Sequence, residues 1–261
     1  MTLQQKTLLG TSGYSFPDWV GTFYPHGTPR ERMFEYYIKH FPAVELNFTY
    51  YRLPDATTID RLARQAPDDF AFWVKANQQT THEQNRAVAR EFIDNLQPMR
   101  QAGKLAGVLL QFPQSFHRTI ANRQYLSAAL TDLAGPPLAV EFRHRSWDAP
   151  AVDAGLRQRG ATLVVPDAPA IGELYRPAPR LTGRTGYLRL HSRDAGKWYA
   201  GAAERYDYSY SPAELTEIAD QWSALESSLD RLFVFFNNCH RGQAAQNAQA
   251  FRKVMDDLAR R

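Results

Sequence analysis

Short apolar segments alternate along the chain with segments that repeat apolar residues at helical spacing. The apolar segments are rich in Val, Leu, Phe and Tyr and are bounded by Gly, Pro or polar residues, which is typical of buried β-strands. We predict eight strands, at Thr7–Ser12, Ala43–Thr49, Ala71–Asn77, Leu105–Phe112, Leu138–His144, Thr162–Asp167, Gly186–Ser192 and Arg231–Asn238.

The segments between these strands place apolar residues at positions i, i+3, i+4 and i+7, which is the spacing of one helix face. Examples are the sets that begin at Phe34, Ile59, Ala89, Leu126, Leu215 and Phe251. Two sequences, Thr28–Glu31 and Ser211–Glu214, predict a capping box with proline at the first helical position. Asp55 is the expected N-cap of the helix that carries Ile59.

Strand and helix therefore alternate over nearly the whole length, which favours a parallel sheet with helices outside it. Eight units in 261 residues give about 33 residues per unit, which fits a (β/α)8 barrel. We predict an α/β fold of this TIM type as a single domain, 1–261. Prolines and glycines between Pro166 and Thr185 predict an irregular sixth crossover. The alternative is an open doubly wound sheet, although no GxGxxG follows the first strand.

Composition narrows the class of protein. Lys and Arg number 31 against 27 Asp and Glu, so the net charge is +4, which is compatible with an anionic ligand or nucleic acid but also with an ordinary surface. No apolar run reaches the ~18 residues of a membrane span. The first ten residues lack the apolar core of a signal peptide, and the single cysteine, Cys239, is expected to be an inert thiol, so we expect a cytoplasmic protein.

Polar side chains are concentrated where the predicted strands end. Residues two apart share a face of a strand, and charges facing the helices would be costly to bury, so we expect these side chains to face the barrel mouth. They are Glu45, Asn47, Lys75, Asn77, Gln111, Glu141, Arg143, Asp167, Arg189, His191, Asn237 and Asn238. Active sites of such barrels lie at this end.

The residue types at the mouth suggest acid–base chemistry on an anion. The predicted catalytic residues are the acids or bases Glu45, Glu141 and Asp167, together with Lys75 and with His191 as a proton carrier near neutral pH. Arg143 and Arg189 suit phosphate or carboxylate. Asn47, Gln111, Asn237 and Asn238 complete the predicted substrate contacts at the strand ends. The alternative is an ionic plug that only closes the barrel.

Loops after the strands add further candidates. Tyr14 and Tyr199 lie in aromatic loops that either stack on sugars or bases or pack as a lid. Gly242, beside Arg241 at a helix start, either presents backbone N–H groups to an anion or merely makes a tight turn. Two carboxylates such as Glu45 and Glu141 would also serve a retaining glycosidase if they lay about 5–5.5 Å apart.

A metal centre has weaker support. His191 and the carboxylates are acceptable ligand types, but HExxH and CxxC motifs are missing and the interleaved cations would repel a metal ion. No cofactor is therefore predicted, and a divalent metal stays an open alternative.

A series of short motifs runs through nearly the whole chain: Gly10–Tyr14, Trp19, Phe23–Pro25, Val44–Asn47, Tyr50–Tyr51, Val74–Lys75, Thr81–His82, Leu110–Pro113, Val140–His144, Trp147, Leu188–His191, Phe236–Asn238, Gly242 and Asn247–Ala248. In these motifs the sequence resembles the YecE-like family, known as domain of unknown function 72. Ser192 departs from the glycine usual after the histidine. The resemblance implies a TIM-type barrel with the strand-end side chains inward, and it implies no reaction. Similarity of fold to endonuclease IV-like and xylose isomerase-like barrels is an analogy only.

The sequence thus predicts an enzyme that acts on an anionic, phosphate-bearing substrate at the barrel mouth. The most specific version of this prediction is a hydrolase that cleaves phosphodiesters in nucleic acid, with Glu141 or Glu45 as the base and His191 as the acid. The alternative is a non-catalytic protein that binds nucleic acid or an anionic metabolite. The expected partner is a small anionic substrate or nucleic acid, and not a membrane.

Overall fold

The computed structural model describes residues 1–260, which form one barrel of eight parallel strands. The strands are β1 (Thr7–Thr11), β2 (Ala43–Leu46), β3 (Ala71–Lys75), β4 (Leu105–Gln111), β5 (Leu138–Glu141), β6 (Thr162–Asp167), β7 (Thr185–Leu190) and β8 (Arg231–Phe236). Each strand from β2 to β7 pairs with the next one in the chain, and β8 pairs with β1. The predicted TIM-type fold is confirmed.

The barrel closes between β1 and β2 by contacts at the strand ends. Ser12 forms a parallel bridge with Glu45, and the Gly13 N–H donates to the Glu45 carbonyl at 2.8 Å. Lower down, the Tyr37 hydroxyl accepts from the Thr11 N–H at 2.9 Å and lies 3.0 Å from the Ala43 carbonyl, so it joins both strands.

Gly10 permits the two strands to approach, since a Cβ there would lie 2.2 Å from the Ala43 carbonyl oxygen. No side chain other than hydrogen fits at that distance. The glycine in β1 is therefore part of how the barrel closes.

Helices surround the barrel and cover its outer face. They are α1 (Leu3–Lys6), α2 (Met33–Tyr37), α3 (Phe48–Tyr51), α4 (Ala56–Gln65), α5 (Gln78–Thr81), α6 (Ala89–Asn95), α7 (Gln97–Gln101), α8 (Ile120–Asp132), α9 (Pro150–Gln158), α10 (Ala202–Arg205), α11 (Pro212–Ser223) and α12 (Gln243–Leu258). Residues 168–184, between β6 and β7, contain no helix, so the irregular sixth crossover is confirmed.

Two apolar cores hold these layers together. The larger one lies between strands and helices, and the smaller one fills the barrel interior around Trp73, Leu109, Val164, Tyr187 and Phe233. Gly107 makes room for the indole of Trp73 in that interior.

All eight predicted strands are present, but most end earlier than predicted. The reason is that polar residues after the strands begin the next element: Asn77 caps α5 by accepting from the Gln79 N–H. The capping box at Ser211 and the cap at Asp55 are confirmed. The box predicted at Thr28 is wrong, because its hydroxyl donates to the Pro25 carbonyl and a 3-10 turn follows Pro29.

Within residues 1–260, no helix combines the length and the apolar character needed to cross a bilayer.

Candidate functional site at the barrel mouth

The strand ends bring several charged side chains into the barrel at one depth. Ala43, Trp73, Leu109, Ala139 and Tyr187 belong to the interior core. Residues two positions further along these strands therefore also face inward. They are Glu45, Lys75, Gln111, Glu141 and Arg189. The predicted inward orientation of these five side chains is confirmed.

Arg189 lies at the centre of a fully buried ion network. Its guanidinium donates to both oxygens of Glu45, from Nε at 2.8 Å and from Nη2 at 2.7 Å, and its Nη1 donates to Glu141. The Tyr187 hydroxyl donates to the same Glu45 at 2.6 Å. The charges of Arg189, Glu45 and Glu141 are thus paired inside the barrel, as buried charges require.

Arg143 extends this network toward solvent. Its guanidinium pairs with Glu141 and packs against the ring of Trp198, with its central carbon 5.6 Å from the ring centroid. Two guanidinium groups therefore face Glu141, and their charges outweigh burial and hold the pKa of its carboxyl well below the ordinary value. Glu141 is consequently ionised at neutral pH and is a poor base.

His191 is buried among polar neighbours. Its Nδ1 lies 2.8 Å from the Asn237 amide nitrogen, and its Nε2 lies 3.2 Å from Arg143 Nη2 and 3.4 Å from Glu141 Oε1. Burial, reinforced by the charge of Arg143, lowers the pKa of His191 to about 3. The low pKa makes His191 a neutral imidazole near pH 7, and its role as a proton carrier stays a prediction.

A cavity of about 1040 Å³ lies above the buried network. Its floor and walls include, among the predicted residues, Tyr14, Asn47, Lys75, Gln111, Arg143, Arg189 and Asn237. Glu45, Glu141 and His191 lie beneath this surface. The mouth thus has two layers, a buried ion network and a polar cavity over it.

The cavity carries an excess of positive charge. Its lining includes Arg30, Arg52, Arg61 and Lys75, against the single carboxylate of Glu31. Glu45 and Glu141 do not offset these cations, because they are already matched by Arg189 and Arg143. Within residues 1–260, no ion pair involves Arg30, Arg52, Arg61 or Lys75. Arg30, Arg52 and Arg61 are exposed to solvent, and their positive potential would attract an anionic ligand to the cavity.

Lys75 is half-buried at the bottom of this cavity. Its Nζ lies 4.0 Å from the centroid of the Tyr50 ring, and within residues 1–260 it has neither a hydrogen-bond acceptor nor a carboxylate partner. Burial lowers the pKa of Lys75 to about 7, and the positive charge of Arg189 acts in the same direction. A lysine in this state exists partly as the free amine at neutral pH.

Polar and aromatic groups complete the cavity wall. Asn47 lines it with a buried Oδ1 that has no hydrogen-bond partner within residues 1–260. The amide nitrogen of Gln111 donates to the Phe112 carbonyl at 2.7 Å, so this side chain is held in place. Tyr14, Phe34, Phe48, Tyr50 and Tyr51 add flat apolar surface.

Four predicted site residues lie outside the mouth. Asp167 faces the helices, where it accepts from Arg193 and from the Tyr210 hydroxyl at 2.9 Å, so its predicted inward position is wrong. Val164 faces the interior and Asp167 lies three positions later, which places it on the opposite face. Asn238 also points outward, to the Tyr208 carbonyl and Asn247.

The other two are Tyr199 and Gly242. Tyr199 is 62% exposed and contacts Gln114 away from the cavity. Gly242 has φ of +83° and packs under Thr22, where a Cβ would lie 2.8 Å from the threonine methyl group. This geometry is that of the tight turn, the alternative considered for Gly242.

No group of three or more His, Cys, Asp or Glu residues within 1–260 is arranged to hold a metal ion. Asp167 lies on the wrong face for such a group, and the carboxylates of Glu45 and Glu141 are held by guanidinium groups. Cys239 is buried, and burial raises the pKa of its thiol, which fits an inert role.

Sequence reasoning missed the cavity arginines and Tyr187. Arg30, Arg52 and Arg61 come from a 3-10 turn, the end of α3 and helix α4, so no strand alternation points to them. Their only signal is position, since they lie in the segments that follow β1 and β2 in the chain. Tyr187 could have been found, because it lies two residues before Arg189 on the same face.

Comparison with known proteins gives a consistent family. The family described as "Protein of unknown function DUF72" matches residues 8–261. The UPF0759 protein YunF of Bacillus subtilis is 31% identical over 268 residues, covering 95% of this chain and 94% of that protein. The UPF0759 protein YecE of Escherichia coli K12 is 28% identical over 173 residues, covering 61% of this chain and 58% of that protein.

Two solved structures that resemble this chain come from the same family. A DUF72 family protein from Thermotoga maritima MSB8 matches with a TM-score of 0.87 and 36% identity, over 96% of this chain and 99% of that one. A DUF72 family protein from Enterococcus faecalis V583 matches with a TM-score of 0.84 and 25% identity, over 96% of this chain and 95% of that one. None of these descriptions states an activity.

Proposed function

This chain belongs to the DUF72 family of proteins of unknown function, and we propose that it is an enzyme that acts on a small phosphate-bearing substrate in the cavity at its barrel mouth. The observation that carries this proposal is the uncompensated positive charge of the cavity. Arg30, Arg52, Arg61 and Lys75 line it, and only Glu31 opposes them.

Phosphate suits this cavity better than a neutral ligand does. Arginine donates two parallel N–H groups to a phosphate, and several arginines around one cavity can share its two negative charges. Arg143 lines the same cavity closer to the buried network, which leaves it in reach of the ligand's deeper part. The substrate is therefore held by the rim arginines at its phosphate end.

The geometry changes the roles assigned from the sequence. Glu45 and Glu141 are ion-paired carboxylates that hold Arg189 and Arg143 in place, so they serve as positioning residues. His191 is neutral and its two ring nitrogens already face polar neighbours. Lys75 is the group that combines access to the cavity with a pKa near neutrality, so it is the reactive residue of the proposed enzyme.

Ligand binding tests directly whether the positively charged cavity recognises phosphate. Thermal shift would be measured with phosphorylated metabolites and with the same compounds lacking phosphate, because a ligand that binds only the folded state raises the Tm. Arg61→Gln should weaken the response to the phosphorylated compounds. Its control is Arg64→Gln, since Arg64 lies on the same helix α4 but pairs with Asp60 outside the cavity.

Turnover is tested with the ligands that pass this screen, by product analysis with wild-type protein and with Lys75→Arg. Loss of turnover with retained binding in Lys75→Arg supports the proposal. If neither phosphorylated compounds nor nucleotides raise the Tm, or if the responses of Arg61→Gln and Arg64→Gln are equal, the proposed charge recognition is wrong.

A second candidate is non-catalytic binding of nucleic acid, which the aromatic surface around the cavity favours. Tyr51 is 75% exposed beside Arg52, so a base could stack on its ring while the guanidinium contacts a phosphate. Binding of oligonucleotides would then weaken linearly with the logarithm of salt concentration. Absence of binding at low salt would contradict this candidate.

A further inference from the structure

Lys75 differs from the other lysines of the chain in having access to a cavity without a partner for its charge. The buried Lys104 donates to the carbonyls of Ala63 and Ala66 at 2.9 and 2.7 Å. Lys197 pairs with Asp207 at 3.0 Å. Within residues 1–260, by contrast, Lys75 Nζ touches only the face of Tyr50 among the contacts that could stabilise an ammonium.

We infer that Lys75 is a covalent nucleophile that forms an imine with the carbonyl carbon of a phosphorylated aldehyde or ketone. This inference rests on the proposed function, since it names the substrate class for the same cavity. Lys75 lies at the carboxyl end of β3 on the cavity floor, and the arginines lie at the rim. A ligand that holds its phosphate at the rim would direct its carbonyl end toward Nζ.

The groups around Lys75 keep its amine available. Arg189 and Arg143 face it from β7 and from the end of β5, and their positive charges disfavour an ammonium. Glu45 and Glu141 act in the opposite direction, but both are ion-paired with those guanidiniums. His82, on the side of Tyr50, has a pKa lowered to about 4 and adds no positive charge at neutral pH.

Imine formation at Lys75 requires no cofactor. The nitrogen lone pair of the neutral amine bonds to the carbonyl carbon, the carbonyl π electrons move to oxygen, and the amine proton passes to that oxygen. Nitrogen then expels the hydroxyl group, which takes a proton from solvent and leaves as water. The resulting protonated imine withdraws electrons from bonds next to the former carbonyl carbon, and hydrolysis returns the lysine.

Reductive trapping tests the inference. The full chain is incubated at pH 7 with glyceraldehyde 3-phosphate and cyanoborohydride, and labelled lysines are identified by peptide mass spectrometry. An ordinary lysine with a pKa of about 10.4 has less than about 0.1% free amine at this pH. We therefore expect Lys75 to be labelled at least about tenfold faster than the exposed Lys39 and Lys253. Labelling of Lys75 should rise with pH through about 7.

Control variants and a control ligand separate a failure of imine formation from a failure of phosphate binding. Lys75→Arg should remove the fast labelling while retaining the Tm response to the phosphorylated compound, and Lys253→Arg should leave the fast labelling unchanged. Labelling of Lys75 no faster than that of Lys39 and Lys253, with a normal Tm response, overturns the inference but not phosphate binding. Equal labelling by glyceraldehyde and its phosphate, unaffected by Arg61→Gln, supports the nucleophile and overturns phosphate recognition.

Discussion

Arg189 of β7 holds both carboxylate oxygens of Glu45 of β2, at 2.8 and 2.7 Å, across the lumen of the barrel. These strands lie three positions apart in the ring, so the ion pair ties together parts of the barrel that share no backbone hydrogen bonds. The same guanidinium reaches Glu141 of β5. Arg189 therefore links three strands at the base of the candidate site.

Replacing Arg189 with methionine should strongly destabilise the protein. The change leaves the buried carboxylates of Glu45 and Glu141 without their shared partner, and breaking a buried pair in this way costs about 3–5 kcal/mol. Urea unfolding would measure the loss. Arg184→Met is the control, because Arg184 pairs with Asp230 at the exposed surface, where solvent screens the pair, and the change should alter stability little. Similar losses in both variants would contradict the role of the buried network.

Tyr187→Phe should remove one hydrogen bond and little else. Its hydroxyl donates to the Glu45 carboxylate at 2.6 Å inside the barrel, and hydrogen bonds to charged groups are worth about 1.5–3 kcal/mol. Unfolding should show a loss of that size, whereas Tyr199→Phe at the surface should be nearly neutral. A neutral Tyr187→Phe would mean that Arg189 alone satisfies Glu45.

Folding stability should fall as the pH drops from about 6.5 toward 3, partly because of His191. Its pKa is about 3 in the folded protein and near 6.5 when unfolded, so the unfolded chain binds an extra proton in this window. The stability contribution is complete above about pH 6.5 and is lost as the pH falls. Unfolding at several pH values should give a smaller slope for His191→Gln than for wild type. Equal slopes would mean that His191 is accessible to protons in the fold.

Gly107→Ala should overpack the barrel interior. A Cβ at this position would lie 2.4 Å from Trp73 Cζ3 and 2.6 Å from the Pro137 carbonyl oxygen, so the indole or the backbone must move. Overpacking of this kind costs about 1–3 kcal/mol. Gly155→Ala, on the helix α9 with open space around it, should instead be neutral or stabilising. Thermal unfolding of both variants distinguishes the two environments, and equal Tm changes would contradict the packing described.

Apolar runs predicted all eight strands, but they did not always show which face of the strand a side chain occupies. In β5, Ala139 and Glu141 alternate with Leu138 and Val140, and the two sets face different layers of the protein. In β6, Leu163, Val164 and Val165 are all apolar, because one face meets the lumen and the other meets helices. The apolar pattern of β6 therefore does not show which side chains face the lumen, and Asp167 was assigned to the wrong face.

The number and order of the strands, the barrel fold and the ionisable groups at one end of the barrel could all be predicted from the amino-acid sequence. These follow from local patterns, since apolar runs, helix periodicity and turn residues each involve neighbours in the chain. In contrast, the pairing of Arg189 with Glu45 and Glu141 could not be predicted from the sequence, and neither could the position of Lys75, which has no charged partner within residues 1–260. The physical reason is that burial and ion pairing depend on distances between strands far apart in sequence, and those distances exist only once the barrel has closed.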